Sequence, residues 1–369
     1  MNYSYWELKE WFTNIDFTIV GSGIVGLNCA LELKKRYPKA KILVLEKGML
    51  PQGASTKNAG FACFGSLSEI IDDLNNHTEE EVFQLVKKRW DGLKMLRQNL
   101  GDKSIGYQQN KGFELYKDQS LFEECSQQKK SINNLLQPIF KEDVFSFTEN
   151  KFGFKKIYNT YGVNHFEGQI DTGKMMQQLL TKAHKKGIKI LNNSTVEAFV
   201  EEQNKVHVKT NLQDFYTKKI LISTNGFAKE LVKENVQPAR AQVLITKPIK
   251  NLAIKGTFHL EKGYYYFRNI NNRILFGGGR NLDFTTEETT NFGQTEIIQK
   301  QLEKLLRETI LPNISFEVEH RWSGIMGVGS QKKAIVKQVS NHAFCGVRLG
   351  GMGVAIGSLV GKELAQLVK

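Results

Sequence analysis

The segment Gly21-Ser22-Gly23-Ile24-Val25-Gly26, set between a short apolar run and an amphipathic one, restricts the fold more than any other stretch. Before it, Asp16 to Val20 (DFTIV) is apolar and β-branched, as suits a buried parallel strand. After it, Leu27, Ala30, Leu31 and Leu33 recur at helical spacing up to Arg36. Lys41 to Leu45 (KILVL) reads as a second strand, and Glu46 ends it. Strand, glycine loop, helix, strand and acid, in that order, make a βαβ unit of the dinucleotide-binding kind.

Each residue type has a physical duty in such a unit. Gly21 permits the tight turn, Gly23 lets backbone approach a pyrophosphate without a Cβ in the way, and Gly26 lets helix and strand pack closely. The pyrophosphate then meets free N–H groups at the positive helix end. Glu46 stands 20 residues beyond Gly26, where an acid accepts from ribose hydroxyls and repels a 2′-phosphate. None of this separates a nicotinamide from a flavin dinucleotide.

At 369 residues the chain is long for a single core, so two domains are expected. Six prolines and no low-complexity tract argue against long disordered linkers. Met1 to Phe12 lacks a basic region followed by an apolar one, and no window reaches about 18 uninterrupted apolar residues, so neither a secretory signal nor a membrane span is expected. Cys29, Cys63, Cys125 and Cys345 show no CxxC pair or metal spacing and read as reduced thiols of a cytoplasmic protein. The net charge of +13 comes from lysines dispersed in short pairs such as Lys34-Lys35, Lys129-Lys130 and Lys185-Lys186. With no zinc-finger or helix-turn-helix pattern beside them, they read as solvated surface, and steering of an anion is the second reading. No nucleic-acid partner is expected.

Other glycine-bearing stretches point to a flavin. Lys47-Gly48 and then Gly53 to Ala62 (GASTKNAGFA) offer small residues with a few polar donors, as backbone passing close to a flat ring requires; a mobile surface loop is the alternative. Lys174 to Lys186 has an amphipathic helical pattern with Asp171 or Thr172 as cap and Gly187 at its end. Ile188 to Leu191 and Val196 to Val200 read as strands, and Lys219 to Ser223 (KILIS) as a buried strand leaving into Thr224-Asn225-Gly226. Ala343 to Val347 is strand-like, and Gly350-Gly351-Met352-Gly353 precedes a helix from about Val354 to Leu367. That helix start would face the negative N1–C2=O edge of a reduced flavin, unless the glycines merely pack the last helix.

Taken together, EKG at 46–48, GASTKNAG at 53–60, EGQID at 167–171, ISTNGF at 222–227, GYYYFR at 263–268, RILFGGG at 273–279, RWSG at 321–324 and GGMGVAIG at 350–357 resemble the D-amino acid oxidase superfamily. Its members include glycine, sarcosine and γ-glutamylputrescine oxidases. The resemblance implies an α/β fold with a discontinuous Rossmann-type FAD-binding domain, expected over 1–102, 160–235 and 322–369. A substrate domain with a mainly antiparallel sheet and helices is expected over 103–159 and 236–321. It implies non-covalent FAD, since RWSG lacks the nearby cysteine through which some relatives attach flavin. Cofactor contacts are expected from Gly21, Gly23, Ile24, Val25, Gly26, Glu46, Lys47, Ala54, Ser55, Lys57, Asn58, Ala59, Gly60, Val196, Thr224, Asn225, Gly226, Gly324, Gly350, Gly351, Met352, Gly353, Val354 and Ala355.

In such proteins an antiparallel sheet roofs the reactive face of the flavin, and Gln242 to Pro248, Tyr264 to Arg268 and Arg273 to Gly277 read as strands of that sheet. Strand alternation puts Tyr264, Tyr266 and Arg268 on one face and Tyr265 on the other. That face could cage an amine's carbon chain and bind its carboxylate; alternatively Tyr266 fills core and Arg268 pairs at the surface. Tyr264, Tyr266, Arg268 and Arg321 are the expected substrate-facing residues. Many amino-acid-oxidising relatives carry an arginine and a proline after RWSG, but here Ile325-Met326-Gly327-Val328-Gly329 follows. The carboxylate clamp is therefore missing unless Arg268, Arg321 or Arg348 substitutes. Leu275 stands where sarcosine oxidase-like members have a lysine associated with oxygen reactivity, so the acceptor stays open between oxygen and another carrier. Cys63 and Cys345 read as buried inert thiols, no metal centre is expected, and His320 is either structural or substrate-facing.

The implied reaction oxidises the C–N bond of a small amine or amino acid by hydride transfer to flavin N5, and water hydrolyses the imine. A flavin enzyme acting on a modified tRNA nucleobase side chain and a non-catalytic flavin-binding protein are the rival readings. The purified protein is expected to be yellow, with a flavin absorption spectrum; a colourless chain that refuses added FAD would leave only a generic nucleotide fold.

Overall fold

The computed structural model describes residues 2–369. β1 (Ile15–Val20) leads through the glycine loop into α1 (Ile24–Arg36) and returns as β2 (Ile42–Leu45). Two helices, α2 (Leu67–Leu74) and α3 (Glu79–Leu100), carry the chain to β3 (Gly112–Leu115). Next come α4 (Gln119–Phe140), β4 (Phe145–Glu149), β5 (Thr160–Asn164), α5 (Thr172–Lys185) and β6 (Lys189–Leu191). A hairpin of β7 (Val196–Glu202) and β8 (Lys205–Thr210) precedes β9 (Phe215–Ile222) and β10 (Gln237–Thr246). The chain then forms β11 (Thr257–Leu260), β12 (Tyr265–Ile270), β13 (Arg273–Gly278) and α6 (Glu296–Leu305). β14 (Val318–Val328), β15 (Ile335–Gln338), β16 (Ala343–Val347) and α7 (Gly353–Gln366) complete it.

The first sheet runs in the order β15-β16-β9-β1-β2-β6, with the β7–β8 hairpin attached to β9. β1 lies between β9 and β2, parallel to both, so the strand order reverses at its carboxyl end and a crevice opens there. The four sequence-expected elements of the βαβ unit are present, both strands within a residue of their anticipated bounds and the helix beginning at Ile24, three residues before the expected Leu27. Asp171 caps α5 by accepting from Lys174 N at 2.9 Å, the first of the two candidates for that position.

α1, α3 and α7 stack on one face of this sheet because small residues let their backbones meet. A Cβ on Gly361 would stand 2.6 Å from Val25 O, and one on Gly92 would overlap Ala355 O. Their shared core includes Ile19, Leu27, Leu33, Val44, Met175, Val360 and Leu364, all fully buried. This contact sets where the glycine-rich start of α7 points.

The second sheet runs β14-β10-β13-β12-β11-β3-β5-β4 and is antiparallel except where β11 meets β3. Its two faces follow from period-two alternation. One row of directly paired residues, Phe113, Phe258, Phe267, Phe276 and Leu244, fills the core against α6. Phe258 and Phe267 stack at 4.5 Å with an interplanar angle of 3°. The neighbouring row, Glu114, His259, Tyr266, Gly277, Val243 and Trp322, faces the first domain.

Two expected domain boundaries need correction. Residues 160–164, placed by sequence in the FAD-binding part, are β5 and pair inside the second sheet. The boundary at 322 falls in the middle of β14, which is continuous because Gln237–Thr246 pairs along it from Val318 to Val328. Removing the stacked ring in Phe267→Ala leaves a cavity in the second core and is expected to cost about 3–5 kcal/mol, read as a lowered urea midpoint.

Candidate active site

A cavity of about 870 Å³ opens at the carboxyl end of β1 and extends beneath the second sheet. One end is lined by Gly21, Gly23, Ile24, Val25, Glu46, Lys47, Val196, Thr224 and Asn225. The middle is lined by Ala54, Ser55, Lys57, Asn58, Ala59 and Gly60, by Gly324, and by Gly350 to Ala355. Segments hundreds of residues apart in sequence therefore share one wall.

Two of the expected contact residues do not reach the cavity. Gly26 is needed for packing, since its Cβ would overlap Gly21 O and stand 2.7 Å from Ser223 Oγ. Gly226 is likewise hemmed in, 2.5 Å from Met326 O. At Gly23 the atom that excludes a Cβ is Ser55 Oγ, at 2.8 Å, which also accepts from Ile24 N. The loop 53–60 thus locks onto the first helix start.

These residues fit a dinucleotide. Glu46 is buried; one oxygen accepts from Ser22 N and Ser22 Oγ (3.1 and 2.7 Å), the other from Gly48 N (3.1 Å), leaving a lone-pair position for a ribose hydroxyl. Thr224 Oγ1 is buried on the cavity wall without a protein partner, as a group awaiting a polar ligand would be. Gly350 and Gly351 take φ of 58° and 80°, turning the chain so that the N-terminus of α7 lines the cavity.

The roof is the second sheet. Tyr264 and Tyr266 line the cavity while Tyr265 points into the core beside Phe276, as alternation requires. Tyr266 covers Gly277, where a Cβ would stand 2.7 Å from the ring, and packs edge-on against Phe61 at 5.6 Å. Burial pushes its phenol up to about 12, so the hydroxyl keeps its proton at neutral pH.

All three arginines offered as substitute clamps are engaged elsewhere, and none lines the cavity. Arg268 is buried and donates to Ala59 O and, at 3.0 Å, to Ile170 O, tying the 53–60 loop to the segment before α5. Burial lowers it to about 10, with Asp171 opposing, because its donors meet carbonyls rather than a carboxylate. Arg321 donates to Gln299 Oε1 at 2.5 Å and Glu303 Oε1 at 2.6 Å, fastening β14 to α6. Arg348 donates to Lys333 O and Asn235 O. Arg268 and Arg321 are therefore scaffold residues, against the expectation that they face substrate. His320 is exposed, stacks on Trp322 at 5.7 Å and does not line the cavity.

The sequence pointed to neither His259 nor Arg280, both on the cavity wall. His259 meets Glu167 Oε1 at 2.6 Å. Glu167 stands in the quoted EGQID stretch, but 92 residues separate the two and only strand register unites them. Cys63 also lines the cavity; burial first, then the charges of Glu167 and Glu69, push its thiol well above the ordinary range. Both effects disfavour the reactive thiolate.

The family model described as "DAO: FAD dependent oxidoreductase" matches residues 16–367. A protein of Haemophilus influenzae called "Probable oxidoreductase OrdL" is 20% identical, over 96% of this chain and 82% of its own. Among solved structures, glycine oxidase from Geobacillus kaustophilus superposes with a TM-score of 0.76 at 17% identity, covering 96% of this chain and 94% of that one. L-proline dehydrogenase from P. horikoshii gives a TM-score of 0.73 at 18% identity, covering 96% and 93%. At these identities the two structures establish the shared fold.

If Arg268 is scaffold, Arg268→Met strands two buried carbonyls, so it should lower the melting temperature and weaken FAD retention on dialysis. A variant with unchanged melting temperature and retention would return Arg268 to the list of substrate-facing groups.

Proposed function

The chain belongs to the FAD dependent oxidoreductase family, and from that premise we propose that it oxidises the carbon–nitrogen bond of a small amine or amino acid. The observation that carries this reading is the opposition of two surfaces across one cavity. A glycine-rich floor from 53–60 and 350–355 faces an aromatic roof of Tyr264, Tyr266 and Phe61. Rings above and bare backbone below leave a slot for a flat cofactor with a small apolar substrate portion against it.

Bound FAD supplies the two-electron acceptor for hydride from the carbon beside nitrogen. The chain's own residues bind, orient and exclude water. Gly21 N and Ile24 N are already taken by Leu45 O and Ser55 Oγ, so the pyrophosphate would rest on the remaining N–H groups of the loop and the first turn of α1, and Glu46 would take the ribose. The start of α7, which lines the cavity, would present partial positive charge to bound FAD. Tyr266 and Phe61 close the slot against water and leave Tyr266 a neutral donor. Tyr266 and Cys63 both hold their protons near neutral pH and are not the base, and in this reading the amine reacts as the free base with its lone pair assisting. The imine then leaves and is hydrolysed by water.

FAD is held non-covalently in this reading, because Cys63, the cysteine on the cavity wall, is buried and protonated. Leu275 sits in an apolar cluster with Ala59 and Val243, and the acceptor is oxygen or another carrier. The test is anaerobic mixing of the FAD-loaded protein with amines, N-methyl amino acids and D-amino acids. At least one class should bleach the flavin, and readmitted air should restore colour at once if oxygen is the acceptor. A flavin that none of them bleaches would sink the proposal.

A further inference from the structure

With Arg268, Arg321 and Arg348 committed to the scaffold, the cavity wall still offers a different cation. His259 stands opposite Tyr266 in the cavity-facing row of the second sheet and is 5% exposed. Its Nε2 is held by Glu167, and its Nδ1 has no hydrogen-bond partner among the described residues. Glu167 is fully buried, and its second oxygen has no protein partner. Beside it a void of about 10 Å³, lined by Gly112, Glu114, Asn164 and His259, has room for roughly one water. Gly112 must be glycine here, because a Cβ would overlap the Glu167 carboxylate. The pair is thus built into the sheet.

The other titratable groups around the ring are Glu114 on β3, Glu69 on α2, Cys63 and Tyr266. Glu114 accepts from Ser68 N at 3.1 Å and Ser66 Oγ at 2.9 Å, and burial raises its pKa. Burial opposes charge on His259, but the charge and hydrogen bond of Glu167, with Glu69 and Glu114 behind, outweigh it and raise the ring to about 9. Below that pH both ring nitrogens carry protons, and Nδ1–H is a charge-assisted donor.

We propose that His259 Nδ1–H anchors the carboxylate of the substrate, which makes that substrate an amino acid rather than a plain amine. Glu167 is the positioning residue that fixes the ring's orientation and its charge. The assignment rests on the amine-oxidising reading above. It answers the missing clamp with an imidazolium where relatives carry a guanidinium. Five other cations line the cavity: Lys47, Lys262 and Lys332 pair with Glu230, Asp72 and Asp73 at 3.7, 3.2 and 2.5 Å, Arg280 stacks over Phe284 at 4.7 Å, a ring that is 44% exposed, and Lys57 stands in the floor loop.

The test titrates the FAD-loaded protein with propionate, and with propionamide as the neutral counterpart, following the perturbation of flavin absorbance. Propionate should bind the more tightly, and its affinity should fall about tenfold per pH unit above roughly pH 9, where His259 loses its proton. His259→Gln should weaken propionate by about 10- to 100-fold and leave propionamide unchanged. Glu167→Gln keeps the side-chain shape and should move the loss of binding toward the ordinary histidine range; it also decides the matter should His259→Gln fail to fold. Unchanged propionate affinity in His259→Gln, an unmoved pH profile in Glu167→Gln, or loss only in Arg280→Gln overturns the proposal. If amino acids and amines bleach the flavin but any of these results is found, the proposal alone fails. A protein that takes up no FAD, or whose flavin nothing bleaches, removes the underlying reading and this one with it.

Discussion

Everything at the cofactor end depends on backbone meeting backbone where β1 and β9 end and α1 begins. Gly21, Gly26 and Ser223 meet there: a Cβ on Gly26 would overlap the Gly21 carbonyl, and Ser223 Oγ donates to Val20 O at 2.8 Å. No side chain fits between. The closeness lets the first helix point its free N–H groups along the crevice left by the reversal of strand order. The same device is repeated where Gly92 and Gly361 admit α7 to α1 and α3, so a second helix start reaches the same cavity.

The roof obeys a different constraint. A sheet that buries one face against α6 must send alternate residues the other way, and the paired row of Phe113, Phe258, Phe267 and Phe276 fixes which residues those are. Packing in the second core therefore decides that His259, Tyr266 and Val243 look at the cofactor cavity. A one-residue slip would exchange the two sets. Site and core are two faces of one register.

Charge is arranged with the same economy. Arginine is the residue most suited to clamp a carboxylate, and the chain places three of them near the cavity. Each is used instead to hold segments that must come together: Arg268 joins Ala59 to Ile170, Arg321 joins β14 to Gln299 and Glu303, and Arg348 binds the Asn235 and Lys333 carbonyls. The scaffold takes these three guanidinium groups, and the wall keeps Arg280 and an imidazolium backed by a buried carboxylate.

Local pattern sufficed for the βαβ unit, the glycine-rich floor, the family and the alternation of the three tyrosines, because each is written in neighbouring residues with periods of two or 3.6. Gly26 packs helix against strand as its place in the motif implies, but neither it nor Gly226 touches the cavity, and the atoms they accommodate belong to the protein. The fate of Arg268 was hidden, since nothing nearby in sequence says that two carbonyls will arrive beside it. Domain limits at 160 and 322 failed for a related reason: strand pairing is a long-range choice, and Thr160–Asn164 joins whichever sheet has a free edge. What the sequence determined by itself is therefore the dinucleotide grip and the class of cofactor. Only the tertiary structure decided which cations face the cavity, because hydrogen-bond partners separated by 92 residues, as in His259 and Glu167, are chosen by register and packing and leave no trace in local spacing.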